Sequence, residues 1–404
     1  MPRSARTLRQ TAEVFEYSRF HACTILASVT TQNSYAPDAE REKIRSRVLQ
    51  LSSPAEHSLS NFLRHRIRGR RELWLFVLIV IAAGCAGGYH VKARLPVDHA
   101  VHTSDAIRWF EPSLTRDRTE ITRWRAAVGS PLISRSGEAT PSATDALIVV
   151  NWNIALGSGD VAALVSDLRA QSPAAPIVLL LQEAYRSGDD IPASPEKPAF
   201  AGFLGTSEPA REIDDISRAL GFGMFYVPSM RNGMSVRHRE DRGNAILSTV
   251  PLEDLIAIEL PFEHQRRVAL AAHVRGTTTK GKPRRLQLAT VHLDNIVGAR
   301  HAWIGGEYGR TRQARGLREA LAGDQPLVLA GDFNTWFGFK DQAYRETARA
   351  FPQTRMADRR RTFRGLLRLD HVFYRLPDGW TAAVRRGESN YGSDHHPLIT
   401  RITF

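Results

Sequence analysis

From Ala146 onward the chain alternates long apolar runs with short polar segments, which predicts an α/β domain. The runs "ALIVVNWN" and "APIVLLLQE" are apolar and β-prone, and "VAALVSDLRA" between them has helical spacing. A strand, a helix and a strand within about forty residues form a βαβ unit with parallel strands. Parallel strands end at the same edge of a sheet. Asn153, at the end of the first strand, and Glu183, at the end of the second, are therefore expected to converge.

Later apolar runs also end on polar residues. "RGNAILSTVPL" predicts a Gly turn and then a strand carrying Asn244, and "RRVALAAHVRG" and "RRLQLATVHLDN" predict a strand pair around "TTTKGKP". The second strand of the pair ends on His292, and "QPLVLAGDFN" ends on Asp332 and Asn334. A single Asp or Asn after a strand is usually a turn former. It is the repetition at several strand ends that indicates a site.

The C-terminal segments add two acids and a histidine. "GLLRLDHVFYRL" places Asp370 within an apolar strand, where an unpaired acid is costly. "YGSDHHPLITRITF" places Asp394 and His395 just before the final strand. Asp370 therefore needs a buried partner.

An uncharged apolar segment from Leu73 to Tyr89 follows a cluster of arginines near the front of the chain. Its length is at the short end for a membrane span, and the basic flank places the N-terminus in the cytoplasm and residues 92–404 outside it. The sequence "AAGC" leaves a second interpretation open, a lipoprotein acylated at Cys85. The predicted organisation is a poorly ordered basic region 1–72, a transmembrane or signal-anchor helix 73–91, a connector with short helices 92–145, and a catalytic domain 146–404.

Charge and cysteine content limit the chemistry of this domain. The net charge is +13, but residues 1–95 carry 15 Lys/Arg against 7 Asp/Glu, so the long C-terminal part is only mildly basic. That balance permits an anionic substrate without requiring nucleic acid. Both cysteines, Cys23 and Cys85, precede residue 146, which excludes a cysteine-based zinc site in the domain.

Seven motifs in order, "NWN", "LLQE", "GNAILS", "VHLDN", "AGDFN", "LDHVF" and "SDHHPL", resemble the endonuclease/exonuclease/phosphatase superfamily with its deoxyribonuclease I-like fold. The resemblance covers about residues 146–404, and together with the apolar segment near the front it suggests a membrane-anchored, bacterial-type member. It implies a four-layer α/β sandwich, in which two packed mixed β-sheets are flanked by helices. It also implies metal-dependent hydrolysis of a phosphoester at one edge of the sheets.

The resemblance implies a role for each residue at the strand ends. Glu183 would be the main Mg²⁺ ligand, with Mn²⁺ as an alternative ion, and Asn153 and Asp394 would lie beside it. Asp332 would activate water and Asn334 would hold Asp332 or the phosphate. Asp370 would orient His395 beside the phosphate, His292 would donate to a phosphate or leaving-group oxygen, and His371 and His396 would point away. Candidate phosphate contacts are Asn244, Arg242, Arg266 and Arg267.

The motifs do not distinguish DNA, a phospholipid or a sugar phosphate as the substrate, nor a diester from a monoester. Two segments are candidate substrate loops. One runs from Tyr185 to Asp214, and the other is "NIVGARHAWIGGEYGRTR", whose aromatics and arginines suit stacked bases or lipid headgroups. Its candidate residues are Arg300, Trp303, Tyr308, Arg310 and Arg312. A membrane-tethered, non-catalytic scaffold with the same fold is the alternative function.

Overall fold

The computed structural model describes residues 97–135, 143–193, 200–201, 211–232, 239–295, 306–355 and 358–404. The predicted basic region 1–72 and membrane segment 73–91 lie outside these residues. Within the described part of the chain, no helix has the length and apolar character needed to cross a membrane.

The first sheet has seven strands in the order β1-β2-β9-β10-β11-β12-β13. It is mixed, because β2/β9 and β11/β12 are parallel pairs and the others are antiparallel. Its strands are β1 His99–Ser104, β2 Ile107–Pro112, β9 Glu253–Glu259, β10 Val268–Thr277, β11 Pro283–His292, β12 Leu327–Asp332 and β13 Asp370–Arg375.

The second sheet has eight strands. Seven follow the order β14-β15-β4-β5-β8-β7-β3, and β6 pairs with β7 outside this path. The predicted βαβ unit is confirmed, since β4 and β5 are parallel and in register from Ile148 to Asn153. Its strands are β3 Leu132–Ser134, β4 Ala146–Asn153, β5 Ile177–Ser187, β6 Phe200–Ala201, β7 Gly223–Asn232, β8 Glu240–Ser248, β14 Thr381–Arg386 and β15 Leu398–Thr403.

Three apolar clusters define the four layers of the predicted sandwich. Helices α1 Thr115–Arg125, α2 Val161–Gln171, α3 Ile213–Leu220, α4 Gly306–Ala320 and α5 Gln342–Ala348 accompany the sheets. One cluster lies between the two sheets and contains residues of both, such as Val149 and Val328. Helices α2 and α3 pack on the outer face of the second sheet, and α4 and α5 on that of the first. Every strand through the centre is thus covered on both faces, which explains the uninterrupted apolar runs.

The connector is part of the sandwich. Sequence analysis predicts short helices between residues 92 and 145, and α1 is one of them. However, "DAIRWFEP" contains β2, which pairs in parallel with β9, and β3 pairs with β7. The connector therefore adds strands to both sheets, and the boundary at residue 146 is a correction. β2 buries Ile107, Trp109 and Pro112, and a six-residue segment with that spacing is too short for the sequence to exclude a helix.

Candidate active site

Three predicted residues lie side by side at the end of the first sheet. His292 pairs with Asp332 across the parallel β11/β12 ladder, and Asp332 pairs with Asp370 across the antiparallel β12/β13 ladder. His292 and Asp332 are the last residues of their strands, as predicted. Asp370 is the first residue of β13 rather than a residue within the strand. The register thus places an imidazole and two carboxylates in one row.

The second sheet supplies Asn153 and Glu183 at the facing edge. Asn153 ends β4, and its Nδ2 donates to Asp332 Oδ2 at 3.1 Å. Glu183 does not end its strand, because β5 continues to Ser187. The β5/β8 register instead shifts between Leu181 and Ala184, and Glu183 has a φ of 53°. A bulge of this kind redirects a side chain while the strand continues, and left-handed backbone outside glycine concentrates at functional sites.

His395 and Asp370 form the closest charged pair of the site. His395 Nδ1 lies 2.7 Å from Asp370 Oδ2, and both side chains are buried. Burial lowers the pKa of an imidazole, but the Asp370 carboxylate outweighs burial here and raises the pKa of His395 to about 10. His395 is therefore an imidazolium at neutral pH, with Nε2 facing Asp332 Oδ2 at 3.7 Å.

Asp332 lies at the centre of the cluster. Its Oδ1 accepts a hydrogen bond from the Asn334 backbone N–H at 2.9 Å, and its Oδ2 lies 3.5 Å from His292 Nε2. Burial, reinforced by the nearby Asp370 charge, raises the pKa of Asp332 to about 6. Asn334 has a φ of 49°, and its Nδ2 donates to the Leu293 carbonyl at 2.9 Å. Asn334 thus fixes the loop that carries Asp332, and Asp332 can exchange a proton near neutral pH.

Two arginines provide positive charge around Glu183. Arg242 NH1 lies 3.6 Å from Glu183 Oε2. Arg267 is buried and donates to the side-chain oxygens of Gln265 and Asn295, at 2.9 and 3.2 Å. Burial, followed by the charges of Arg267 and Arg242, holds the pKa of His292 well below its usual value. His292 is therefore a neutral imidazole beside an imidazolium, and it can donate one N–H.

The oxygen donors at this edge fit Mg²⁺. Glu183 and Asp394 are carboxylates with partly exposed side chains, and Asn153 adds an amide oxygen, which also accepts from Ala155 N at 3.0 Å. Few oxygen ligands with room for water are what Mg²⁺ prefers. Asp332, Asp370 and His395 also have ligand atoms within 4.8 Å of one another. That cluster is better suited to proton transfer, because a protonated His395 has no lone pair for a metal.

Other candidates have structural roles. Asn244 Nδ2 donates to the Val268 carbonyl at 2.7 Å, which joins the two sheets and leaves its oxygen for another partner. Arg266 is buried against Glu259. The substrate-loop interpretation is wrong for Arg310 and Arg312, which are buried in ion pairs. Arg310 pairs with Asp341, and Arg312 with Asp117 and Glu263. Arg300 and Trp303 lie outside the described residues, as does the side chain of Tyr308.

The two neighbouring histidines face other groups. His371 Nε2 lies 2.7 Å from Thr335 Oγ1, and its ring packs against Phe333 and Tyr344. His396 Nδ1 lies 3.1 Å from the Gly387 carbonyl. Neither ring has a hydrogen-bond partner among the site residues in the contacts that the structure describes.

Sequence reasoning missed the groups that position His395. Trp152 Nε1 donates to the His395 carbonyl at 2.9 Å. Ser393 Oγ donates to the Asn153 carbonyl at 2.7 Å and accepts from His395 N at 3.0 Å. Thr362 Oγ1 accepts from Asp370 N at 3.3 Å. Trp152 and Ser393 stand within motifs singled out above, yet their role becomes visible only when β4 and the segment before β15 are neighbours.

Solved structures with a similar fold have low sequence identity to this chain. An endonuclease/exonuclease/phosphatase from Beutenbergia cavernae is 17% identical with a TM-score of 0.47, covering 64% of this chain and 72% of its own. The human Nocturnin catalytic domain is 17% identical with a TM-score of 0.42, covering 68% and 97%. Beta toxin from Staphylococcus aureus, a structure with bound magnesium ions, is 14% identical with a TM-score of 0.37, covering 63% and 98%.

Sequence comparison identifies the family. A UPF0294 protein of Vibrio parahaemolyticus is 36% identical over 81 residues, which are 19% of this chain and 28% of that protein. The match therefore spans less than a third of that relative's length. The model of the endonuclease/exonuclease/phosphatase family matches residues 150–395, more than half of the chain and all the strand-end residues described above. The chain belongs to the Endonuclease/Exonuclease/phosphatase family, whose name denotes enzymes that hydrolyse phosphoester bonds.

Proposed function

We propose that this chain is a Mg²⁺-dependent hydrolase of phosphoester bonds, with Mn²⁺ as an alternative ion. The observation that supports this most is the arrangement of Asp332 among three groups. His292 and Asp370 flank it in the sheet register, and the His395 imidazolium faces its Oδ2. A general base beside a positively charged donor is what attack of water on an anionic phosphate requires.

Each residue takes one task in this proposal. Asp332 accepts a proton from the attacking water, for which a pKa of about 6 is well placed. His395, held by Asp370, donates to a phosphate oxygen and stabilises the charge that develops there. His292, as a neutral imidazole, donates to a second phosphate or leaving-group oxygen. Asn334 holds the Asp332 loop.

Glu183, Asn153 and Asp394 are the residues that would hold Mg²⁺. The ion supplies a Lewis acid that polarises a phosphate oxygen and offsets negative charge. Arg242 and Arg267 lie beside Glu183, where they favour binding of an anionic phosphate over a neutral ligand. Asn244 Nδ2 donates one N–H to the Val268 carbonyl, and in this proposal its second N–H would donate to a phosphate oxygen.

Hydrolysis of bis-p-nitrophenyl phosphate by the purified full chain tests the proposal. We expect activity with Mg²⁺ or Mn²⁺, loss on exhaustive chelation, and recovery when the ion is restored. Glu183→Gln should be inactive, whereas the matched control Glu253→Gln should be unaffected. Glu253 is the first residue of β9 and lies at the end of that strand away from the site. Glu259, at the other end of β9, lies on the side of the site edge. Full activity after chelation would refute the metal role, and inactivity of the wild type on a full substrate panel would favour the scaffold function.

A panel of substrates then separates the phosphoester classes. Single- and double-stranded DNA, phosphodiester lipids in vesicles, and sugar phosphates represent the three classes that the sequence left open. The ratio of kcat/KM values between a diester and its matched monoester distinguishes phosphodiesterase from phosphatase activity.

The proposed location is a membrane-anchored enzyme whose catalytic unit lies outside the cytoplasm. Its support is the apolar segment from Leu73 to Tyr89 with its basic N-terminal flank. A C-terminal reporter that is active outside the cytoplasm should be active when fused after Phe404. Incorporation of labelled fatty acid into the wild type, but not into Cys85→Ser, would replace the anchor with the lipoprotein.

A further inference from the structure

A tight hairpin carries an exposed leucine beside the catalytic histidine. Phe363 N donates to the Leu367 carbonyl at 2.9 Å, and Leu366 N donates to the Phe363 carbonyl at 2.8 Å. The two turn residues, Arg364 and Gly365, have φ values of 45° and 66°, as a type I′ hairpin turn requires. Leu366 follows the turn and its side chain is 65% exposed. The hairpin therefore presents an aliphatic side chain to solvent at its tip.

This hairpin is attached directly to the catalytic segment. Phe363 forms a β-bridge with His395, its ring lies 4.9 Å from the imidazole, and Arg364 N donates to the Asp394 carbonyl at 2.9 Å. Leu366 therefore stands three residues from a direct backbone contact with the site. Any surface that accepts the hairpin tip lies at the rim of the catalytic edge.

A second exposed apolar residue stands on the neighbouring segment. Phe337, which is 52% exposed, follows the Asp332 loop. Its segment packs on the hairpin, because Thr335 Oγ1 donates to the Arg368 carbonyl and the Arg368 guanidinium lies 5.1 Å from the centre of the Phe339 ring. Single exposed apolar residues are ordinary. Leu366 and Phe337 are two exposed apolar residues on adjoining segments at the rim of the site, and together they indicate a contact surface.

The same rim is strongly basic. Residues 358–368 contain five arginines and one acid, Asp358, which pairs with Arg360. Arg359 and Arg361 are exposed, and Arg361 NH1 donates to the Gly365 carbonyl within the turn. Arg364 pairs with Asp394 at 3.3 Å, so we call Phe337, Leu366, Arg359 and Arg361 the rim surface. Apolar tips among arginines complement a bilayer with anionic headgroups, into which the tips insert while the arginines remain at the headgroups.

We propose that the rim surface docks the catalytic edge onto an anionic lipid bilayer, so that the substrate is a phosphoester presented at that bilayer. The substrate side of this inference rests on the proposed hydrolase. A bilayer is favoured over nucleic acid because Leu366, the exposed side chain at the hairpin tip, is aliphatic and has no ring on which a base could stack.

Site-specific fluorescence on the full chain tests the docking. Leu366→Cys in a Cys23→Ser/Cys85→Ser background carries an environment-sensitive nitrobenzoxadiazole label, and Val101→Cys is the matched control. Val101 is 54% exposed on β1, the edge strand at the opposite side of the first sheet from β13. The protein is reconstituted in vesicles of phosphatidylcholine alone or with anionic phosphatidylglycerol, and nitroxide-labelled lipids serve as quenchers.

Docking predicts a blue shift and lipid quenching of the label at position 366 in anionic vesicles, with neither at position 101. Arg359→Glu/Arg361→Glu should reduce the ratio of docked to undocked protein at least about tenfold, because one basic residue at an anionic surface contributes about fivefold. An unquenched label at 366 in anionic vesicles would overturn the inference. The inference would also be overturned if the fluorescence of the label at 366 shifted on addition of a single-stranded oligonucleotide instead of anionic vesicles. A shift that depends on protein concentration in the absence of lipid would overturn it as well.

Hydrolysis of soluble bis-p-nitrophenyl phosphate separates this inference from the proposed function. Leu366→Asp and Arg359→Glu/Arg361→Glu should retain wild-type kcat/KM on this substrate and lose activity on a phosphodiester lipid in anionic vesicles. A wild type inactive on the soluble substrate and on the full substrate panel would refute the hydrolase and leave the labelling result to decide docking. If these variants lost activity equally on the soluble and the vesicle substrate, the rim surface would not act through membrane docking, and the inference would be refuted.

Discussion

Replacing Asp370 by Asn should disable His395 as severely as removing the imidazole. The Asp370 carboxylate, 2.7 Å from Nδ1, raises the pKa of the buried imidazole from 6.5 to about 10. At about 1.4 kcal/mol for each pKa unit, this corresponds to roughly 5 kcal/mol in favour of the imidazolium. Without the Asp370 carboxylate, only the charges of Asp332 and Asp394 oppose the effect of burial, so the pKa of His395 falls and the imidazolium is lost more readily. If the phosphate loses that charge in the transition state, kcat falls by about 10³–10⁴.

The double mutant decides whether the two residues act as one unit. We expect His395→Ala and Asp370→Asn each to reduce kcat on bis-p-nitrophenyl phosphate by three to four orders of magnitude, or about 10³–10⁴. The double mutant should be little worse than His395→Ala alone. Calorimetric Mg²⁺ affinity should be nearly unchanged, and Asp324→Asn, an exposed substitution in the turn before β12, should match the wild type. Losses that multiply in the double mutant would refute the pairing.

The remaining predictions concern the metal and the stability of the fold. Mg²⁺ should raise the melting temperature of the wild type but not of Glu183→Ala, since the ion stabilises only a chain that binds it; an equal rise in both would remove Glu183 from the ligand set. Arg312→Met should lower the free energy of unfolding by about 3–5 kcal/mol, because it removes the guanidinium that pairs with the buried Asp117 and with Glu263. Its kcat measured well below the melting temperature should be unchanged, and a specific loss of kcat would restore the substrate-loop interpretation. Burial holds the pKa of His371 well below 6.5, so below that pH the unfolded chain binds a proton that the folded chain does not, and stability falls as the pH falls. His371→Gln, measured by urea unfolding, should therefore be less stable than the wild type at pH 7.5, with a difference that narrows as the pH falls through 6.5 towards 5.5; a constant difference would contradict a neutral His371.

Strand ends were predictable from the sequence where the strands are covered on both faces. In β4 and β12 every residue is buried, so the first polar residues after the apolar run mark the end of the strand, as for Asn153 and Asp332. The same pattern predicts the wrong end for β5, because a bulge accommodates Glu183 and the strand continues to Ser187. A bulge changes one backbone conformation without changing the apolar pattern, so the pattern cannot reveal it.

The arginines of α4 show a different limit. In the sequence, Arg310 and Arg312 stand among aromatic and glycine residues and match a solvent-exposed binding loop. Their partners are Asp341, 31 residues away, and Asp117, 195 residues away. A buried guanidinium is tolerated only with such partners, and nothing local in the sequence indicates that the fold will supply them. Arg359, Arg361 and Arg364, by contrast, are exposed.

The row across β11, β12 and β13 explains why the site needs His395 between two acids. Asp332 and Asp370 are cross-strand partners, and both are buried. Two buried carboxylates so placed cannot both stay ionised without a compensating charge, and one of them would take up a proton. The imidazolium compensates both, because Nδ1 faces Asp370 and Nε2 faces Asp332. Because the same ring can donate to a phosphate through Nε2, substrate binding would draw that donor from Asp332 and leave Asp332 as the stronger base when water must be deprotonated.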